Sequence, residues 1–157
     1  MEGQQINPSV NAQAVRLQDG LRRLTLAIVE GLQQQLSPYQ VDAVEYTILG
    51  VCLATGPITI KDLQSKVPID YTQISRTTSR LEDKGLMAKA HLADDRRVVR
   101  VEVTEKGREL MPELMQSALR FYKGLVGDIS QEELAACTAV MQKLSAPGEP
   151  AESGGTR

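Results

Sequence analysis

The stretch from Asp70 to Gly107 constrains this chain more than any other. It reads as a polar helix, DYTQISRTTSRLEDKGL, followed at once by a hairpin with a charged tip, MAKAHLADDRRVVRVEVTEKG. Asp70, three positions ahead of Gln73, has the spacing of a capping box, in which the carboxylate accepts from backbone N–H groups left free at a helix start. At about 100° per residue, Ile74, Thr77, Thr78 and Leu81 share one narrow face. Thr72, Arg76, Ser79 and Asp83 point the opposite way, with Gln73 and Arg80 flanking them. The buried stripe is thin, and the outward side carries Gln, Thr, Ser and Arg. These side chains hydrogen-bond base edges and phosphates in a DNA major groove, although a solvated surface face uses them too.

The residues that follow favour the first meaning. Lys84-Gly85 ends the helix, with glycine supplying the left-handed terminal conformation. Leu86 to Leu92 and Val98 to Thr104 read as two short strands. In the second, Val99, Val101 and Val103 alternate with Arg100, Glu102 and Thr104, which buries one face. Ala93-Asp94-Asp95-Arg96-Arg97 between them is too charged to be buried. A helix with an exposed polar face followed by a basic two-stranded ribbon is the layout of a winged helix-turn-helix. In that layout the helix lies in the major groove and the ribbon tip reaches the flanking minor groove or phosphates.

The same residues carry a family resemblance. Gln73 to Leu86 (QISRTTSRLEDKGL), then Asp95-Arg96-Arg97, then Val103-Thr104-Glu105-Lys106-Gly107, resemble in order and separation the multiple-antibiotic-resistance regulator (MarR) family, over roughly residues 10 to 146. The resemblance implies a homodimer that binds double-stranded DNA and responds to a small, often aromatic or phenolic, molecule. It also implies that Arg97 enters the minor groove while Asp95 holds it in place. The implied reading residues are Thr72, Gln73, Ser75, Arg76, Ser79 and Arg80 on the helix, with Asp95, Arg96 and Arg97 on the wing. For the effector cleft it suggests Thr25, Tyr39, Tyr46 and Cys52, each of which also reads as plain core. The chain departs from many relatives at Lys89-Ala90-His91, where they carry an Arg before the wing turn.

The rest of the chain is read as support. Val10, Ala14, Leu17, Leu21, Leu24, Ile28 and Leu32 recur at helical spacing up to Leu36, and a helix of about 25 residues in a small chain packs along a partner. Ser37-Pro38-Tyr39-Gln40 has the pattern of a helix start, with Ser as cap and Pro at the first position. That helix runs to Thr55, where Gly56-Pro57 stops it. Ile58 reads as a one-bond strand pairing with the wing, and Thr59 as the cap of a short helix over 60–66. Lys61 and Ser65 there are candidates for phosphate contact. A helix from about Glu105 to Gly127 contains Pro112, which should bend it. Ser130 to Glu133 opens a last helix.

The predicted class is therefore mainly α with a small β-hairpin wing. It comprises a flexible N-terminus at 1–9, a winged helix-turn-helix lobe at 37–107, dimerisation helices at 10–36 and 108–146, and a Gly- and Pro-rich disordered tail at 147–157. The terminal helices have more apolar surface than so small a lobe can cover. A two-fold dimer accounts for it and sets two reading helices about one DNA turn apart.

Charge and composition bound the alternatives. Residues 59–108 hold eleven Lys and Arg against eight Asp and Glu, a net of +3, which leaves −5 for the remainder of a chain at −2 overall. The basic residues sit where a DNA reading needs them. An enzyme is disfavoured by a single histidine, His91, and by the lack of a Gly-rich phosphate loop, a metal-ligand cluster or a nucleophile motif; no cofactor is expected. A winged helix that binds protein and not DNA, as an antirepressor does, remains open because the total charge is near neutral. No basic-then-apolar leader and no long apolar run appear, so the expected setting is the cytoplasm without a membrane. Cys52 and Cys137 are too far apart for a metal site or disulfide framework, and redox sensing by either is a weak hypothesis for a thiol without a basic neighbour.

Overall fold

The computed structural model describes residues 8–91, 95 and 97–145. The expectations for the tail at 147–157, for most of the N-terminal segment and for Arg96 lie outside the described residues. Residues up to Phe121 form one compact unit and those from Tyr122 a second. The architecture is the winged, mainly helical one that the sequence predicts. No helix among the described residues is long and apolar enough to cross a membrane.

Helix α1 (Pro8–Leu36) opens with proline, whose missing N–H costs nothing in the first helical turn. It starts two residues before the apolar repeat does, inside the segment expected to be flexible. Among its described side chains, those buried are Leu32 and Leu36 at the C-terminal end, while Val15, Leu17, Leu24, Leu26 and Val29 stay exposed. The next element differs from the sequence reading. Ser37–Tyr39 is a single 3-10 turn and not a helix start, because the Ser37 hydroxyl turns back to donate to the Gln34 carbonyl at 3.0 Å. Gln40 then takes a left-handed conformation, φ 57°. Helix α2 (Ala43–Thr55) is capped by Asp42, whose carboxylate accepts from the Glu45 N–H at 2.7 Å while Glu45 accepts from the Asp42 N–H at 2.9 Å. This reciprocal pair satisfies two helix-start donors.

Gly56 stops α2, as expected. Strand β1 (Ile58–Thr59) leads into the short α3 (Ile60–Gln64), capped by the Thr59 hydroxyl. Helix α4 (Tyr71–Asp83) starts at Asp70, which accepts from the Gln73 N–H at 2.9 Å. It buries Ile74, Thr77, Thr78 and Leu81, the stripe predicted from periodicity. It ends in a Schellman arrangement: Gly85 N–H donates to the Glu82 carbonyl and Leu86 N–H to the Leu81 carbonyl, both at 2.8 Å, with Gly85 at φ 71°.

Strands β2 (Met87–His91) and β3 (Val99–Val103) pair antiparallel from Met87 opposite Val103 to His91 opposite Val99. On the other edge of β3, Ile58 lies opposite Val101, so the sheet order is β1-β3-β2. Helix α5 (Glu105–Val126) continues through Pro112. Its first turn lies so close to the start of β2 that a Cβ on Gly107 would sit 2.4 Å from the Leu86 carbonyl oxygen. The core of the first unit is built from Leu36, Ile48, Leu49, Leu63, Ile74, Leu81, Val101 and Leu114. In the second unit, α6 (Gln131–Ser145) starts at the predicted Ser130–Glu133 box and leaves Leu134, Val140 and Leu144 exposed.

Replacing Gly85 by Ala should cost about 1 kcal/mol, since a Cβ is unfavourable at positive φ. Urea unfolding should show a lowered midpoint with an unchanged slope.

Candidate nucleic-acid interface

With one face buried, α4 turns the other outward, but its polar side chains fall into two groups. Thr72, Gln73 and Arg76 are exposed, and no hydrogen bond or ion pair to another described residue occupies their side chains. Ser75 is half-buried, and its carbonyl takes the Thr78 and Ser79 hydroxyls at 3.0 Å each. Ser79 also accepts from Lys89 Nζ on β2 at 2.6 Å. Its hydroxyl therefore ties the helix to the wing.

Arg80 departs from the sequence reading. Its guanidinium, half-exposed, turns toward the start of α2, with Nη2 2.6 Å from Asp42 Oδ2 and Nε 3.2 Å from Glu45 Oε1. Lys84, one turn further, donates to both Glu45 carboxylate oxygens and to the Gln40 carbonyl, each at 2.7 Å. Glu45 is 1 % exposed. Burial by itself raises its pKa, but hydrogen bonds from Lys84, from the Asp42 N–H and from Arg80 outweigh it and hold the carboxyl below its ordinary 4.5. The sequence reading missed both: their local Asp-x-x-Glu spacing is a capping signal, while their ties to Arg80 and Lys84 span more than thirty residues.

At the wing, Asp95 accepts from the Arg97 backbone N–H at 2.9 Å, and the Val98 N–H closes the turn on the Asp95 carbonyl at 3.0 Å. Asp95 thus holds Arg97 by its backbone, which leaves the guanidinium exposed. Arg97 lines a cavity of about 430 Å³ with Lys61, Asp62, Thr59 and Tyr71. Tyr71, 51 % exposed at the first position of α4, was not singled out in the sequence. Its only signal there is an aromatic residue next to the capping Asp70. The surface can supply cations, hydroxyls and an amide to a polyanion lying along α4 and the wing.

The four candidate effector residues have different surroundings. The Thr25 hydroxyl is spent on the Leu21 carbonyl of its own helix at 2.9 Å. Cys52 is buried, burial pushes its thiol up to about 11, and it lines a cavity of about 40 Å³ with Glu102 and Arg108. Tyr46 is half-buried against the core. Tyr39 is half-buried too, and its hydroxyl lies 3.3 Å from Ser117 Oγ, which accepts from Arg120 at 2.8 Å. Of the two thiols, Cys52 is buried and Cys137 exposed.

Comparison with known proteins adds to this geometry. The sequence model of the MarR family matches residues 41–99. The uncharacterized HTH-type transcriptional regulator YdgJ of Bacillus subtilis is 31% identical over 87 residues, 55% of this chain and 53% of that protein. The match thus spans about half the length of this relative. Among solved structures, a mutant of MarR from E. coli complexed with operator DNA superposes with a TM-score of 0.78 at 20% identity, covering 85% of this chain and 96% of that one. BpsR of Bordetella bronchiseptica, whose DNA binding is regulated by 6-hydroxynicotinic acid, gives 0.78 at 25% identity over 83% of this chain and 98% of its own.

Replacing Glu45 by Gln should cost roughly 1–3 kcal/mol, because Lys84 loses its charged partner, and the half-exposed Arg80 contributes the smaller part. The sign with pH follows from the lowered pKa. The paired carboxylate stabilises the fold above about pH 4.5, and that contribution is lost as pH falls through its folded value. Urea midpoints measured downward from pH 7 should therefore fall more steeply in the wild type than in Glu45→Gln.

Proposed function

We propose that the chain is a member of the MarR family and acts as a homodimeric, sequence-specific DNA-binding transcription regulator, a repressor relieved by a small effector. It acts in the cytoplasm and has no enzymatic role. The observation that carries the reading is the outward face of α4. Thr72, Gln73 and Arg76 stand free on a helix whose opposite face is fully buried, beside a wing whose Arg97 is exposed. Such a helix enters a major groove and such a tip the adjoining minor groove or phosphates. Ser75, half-buried, lies on the same helix. Arg80 and Ser79 contribute mainly by holding the helix.

The exposed apolar residues of α1, and separately those of α6, support a second copy as their cover. The effector reading rests on Tyr39 and the hydroxyl and guanidinium near it, a set suited to a small aromatic acid or phenol. It is supported by the regulation of BpsR by 6-hydroxynicotinic acid.

Gel shifts test the reading. Wild-type affinity for a selected duplex should fall steeply between about 50 and 200 mM salt. Arg76→Ala should cost about 1–3 kcal/mol and relax the preference at one base pair, while Arg97→Ala should weaken binding with little loss of folding stability. Absence of any shift at low salt, or equal losses on selected and random duplexes for Arg76→Ala, would overturn it.

A further inference from the structure

Tyr39 and Lys84 sit at the two ends of a short polar connection whose middle is the single residue Gln40. Tyr39 closes the 3-10 turn, and its hydroxyl reaches Ser117 on α5. Gln40 is the one non-glycine residue at positive φ among those described, 57°. Its N–H is held by the Ser37 carbonyl at 2.9 Å and its carbonyl by Lys84 Nζ at 2.7 Å. Lys84 is the C-cap of α4, and its own carbonyl accepts from Lys106 Nζ of α5 at 2.7 Å. Glu45 completes the clamp by taking the same ammonium on both carboxylate oxygens.

We propose that Lys84 is a positioning residue which couples the pose of Tyr39 to the placement of α4, through the Gln40 carbonyl and the Glu45 carboxylate. This rests on the reading of α4 as the DNA-reading helix and of Tyr39 as part of the effector cleft. The physical basis is that a left-handed non-glycine residue occupies a small, unfavourable well, from which the broader wells are accessible once its restraints loosen. The Ser37 and Lys84 hydrogen bonds are those restraints. A molecule that displaces the Tyr39 hydroxyl from Ser117 moves the residue next to Gln40. The Gln40 carbonyl then leaves Lys84, and the end of α4 keeps the Glu45 and Lys106 contacts but loses its tie to the connector. The ammonium faces Glu45, the Gln40 carbonyl and, one turn away, the Arg80–Asp42 pair, so its charge is spent inside the protein and not on DNA.

A double-mutant cycle on DNA binding tests this, with Tyr39→Phe, Lys84→Met and the pair measured on one selected duplex at several salt concentrations. Each single change should weaken binding roughly five-fold, at the lower end of measured site-to-site coupling, and the pair should lose no more than the worse single. The slope of log K against log salt should be unchanged by Lys84→Met, and Lys84→Arg should recover most of the affinity. Additive losses would overturn the proposal. So would a slope reduced by about one, the mark of a phosphate contact.

A second measurement needs neither DNA nor a change at Lys84. Amide hydrogen exchange at the C-terminal end of α4 in free Tyr39→Phe protein should be faster than in the wild type, and an unchanged rate there would refute the coupling. Should wild-type protein shift no duplex, the regulator reading fails, and the exchange measurement alone decides whether the connection exists.

Discussion

The buried carboxylate of Glu45 is the constraint on which the placement of α4 depends. A carboxylate taken almost completely out of water must be compensated, and here two cations of α4 and a helix-start N–H do so together. Because Arg80 and Lys84 lie one turn apart on one side of α4, meeting both fixes the rotation of that helix about its axis as well as its distance from α2. The reciprocal cap with Asp42 ties the same carboxylate to the first turn of α2. One acidic side chain therefore sets α2, α4 and the connector before α2 in a common frame.

That frame decides which polar residues remain available. With Arg80 and Lys84 turned toward Glu45, and Ser79 bound to Lys89 of the wing strand, the N-terminal half of α4 is left to present Thr72, Gln73 and Arg76. The division suits a helix that inserts by its N-terminal end, where donors and a positive dipole meet a polyanion. The wing is set by the same economy. Asp95 fixes the turn through the Arg97 backbone, so the guanidinium is positioned without being neutralised.

Much of this was legible in the sequence wherever the determining interaction is local. Asp70 at the head of α4, Lys84-Gly85 at its end, and the alternation of Val99, Val101 and Val103 all follow from neighbours a few residues apart or from simple periodicity. The features read differently have two causes, a competing local hydrogen bond or a partner far along the chain. Ser37-Pro38-Tyr39-Gln40 carries a good local capping pattern, yet the Ser37 hydroxyl finds the carbonyl at the end of α1, and the stronger reciprocal cap lies five residues later at Asp42. Arg80 has the spacing of an outward residue, and only partners more than thirty positions away turn it toward α2. Thr25 and Cys52 share helical spacing with cleft residues, but a hydroxyl spent on its own helix and a buried thiol are indistinguishable from ligand groups in one dimension.

The proposed function requires two such frames to act together, since a single helix start and one wing tip read too few base pairs for specificity. Selection of bound fragments from random duplexes tests this most directly. The account predicts a pseudo-palindromic consensus whose two halves are centred about 10 bp apart, one helical turn, so that both reading helices meet the same face of the duplex. A consensus of one unpaired half, or recovery of fragments with no shared sequence, would contradict it.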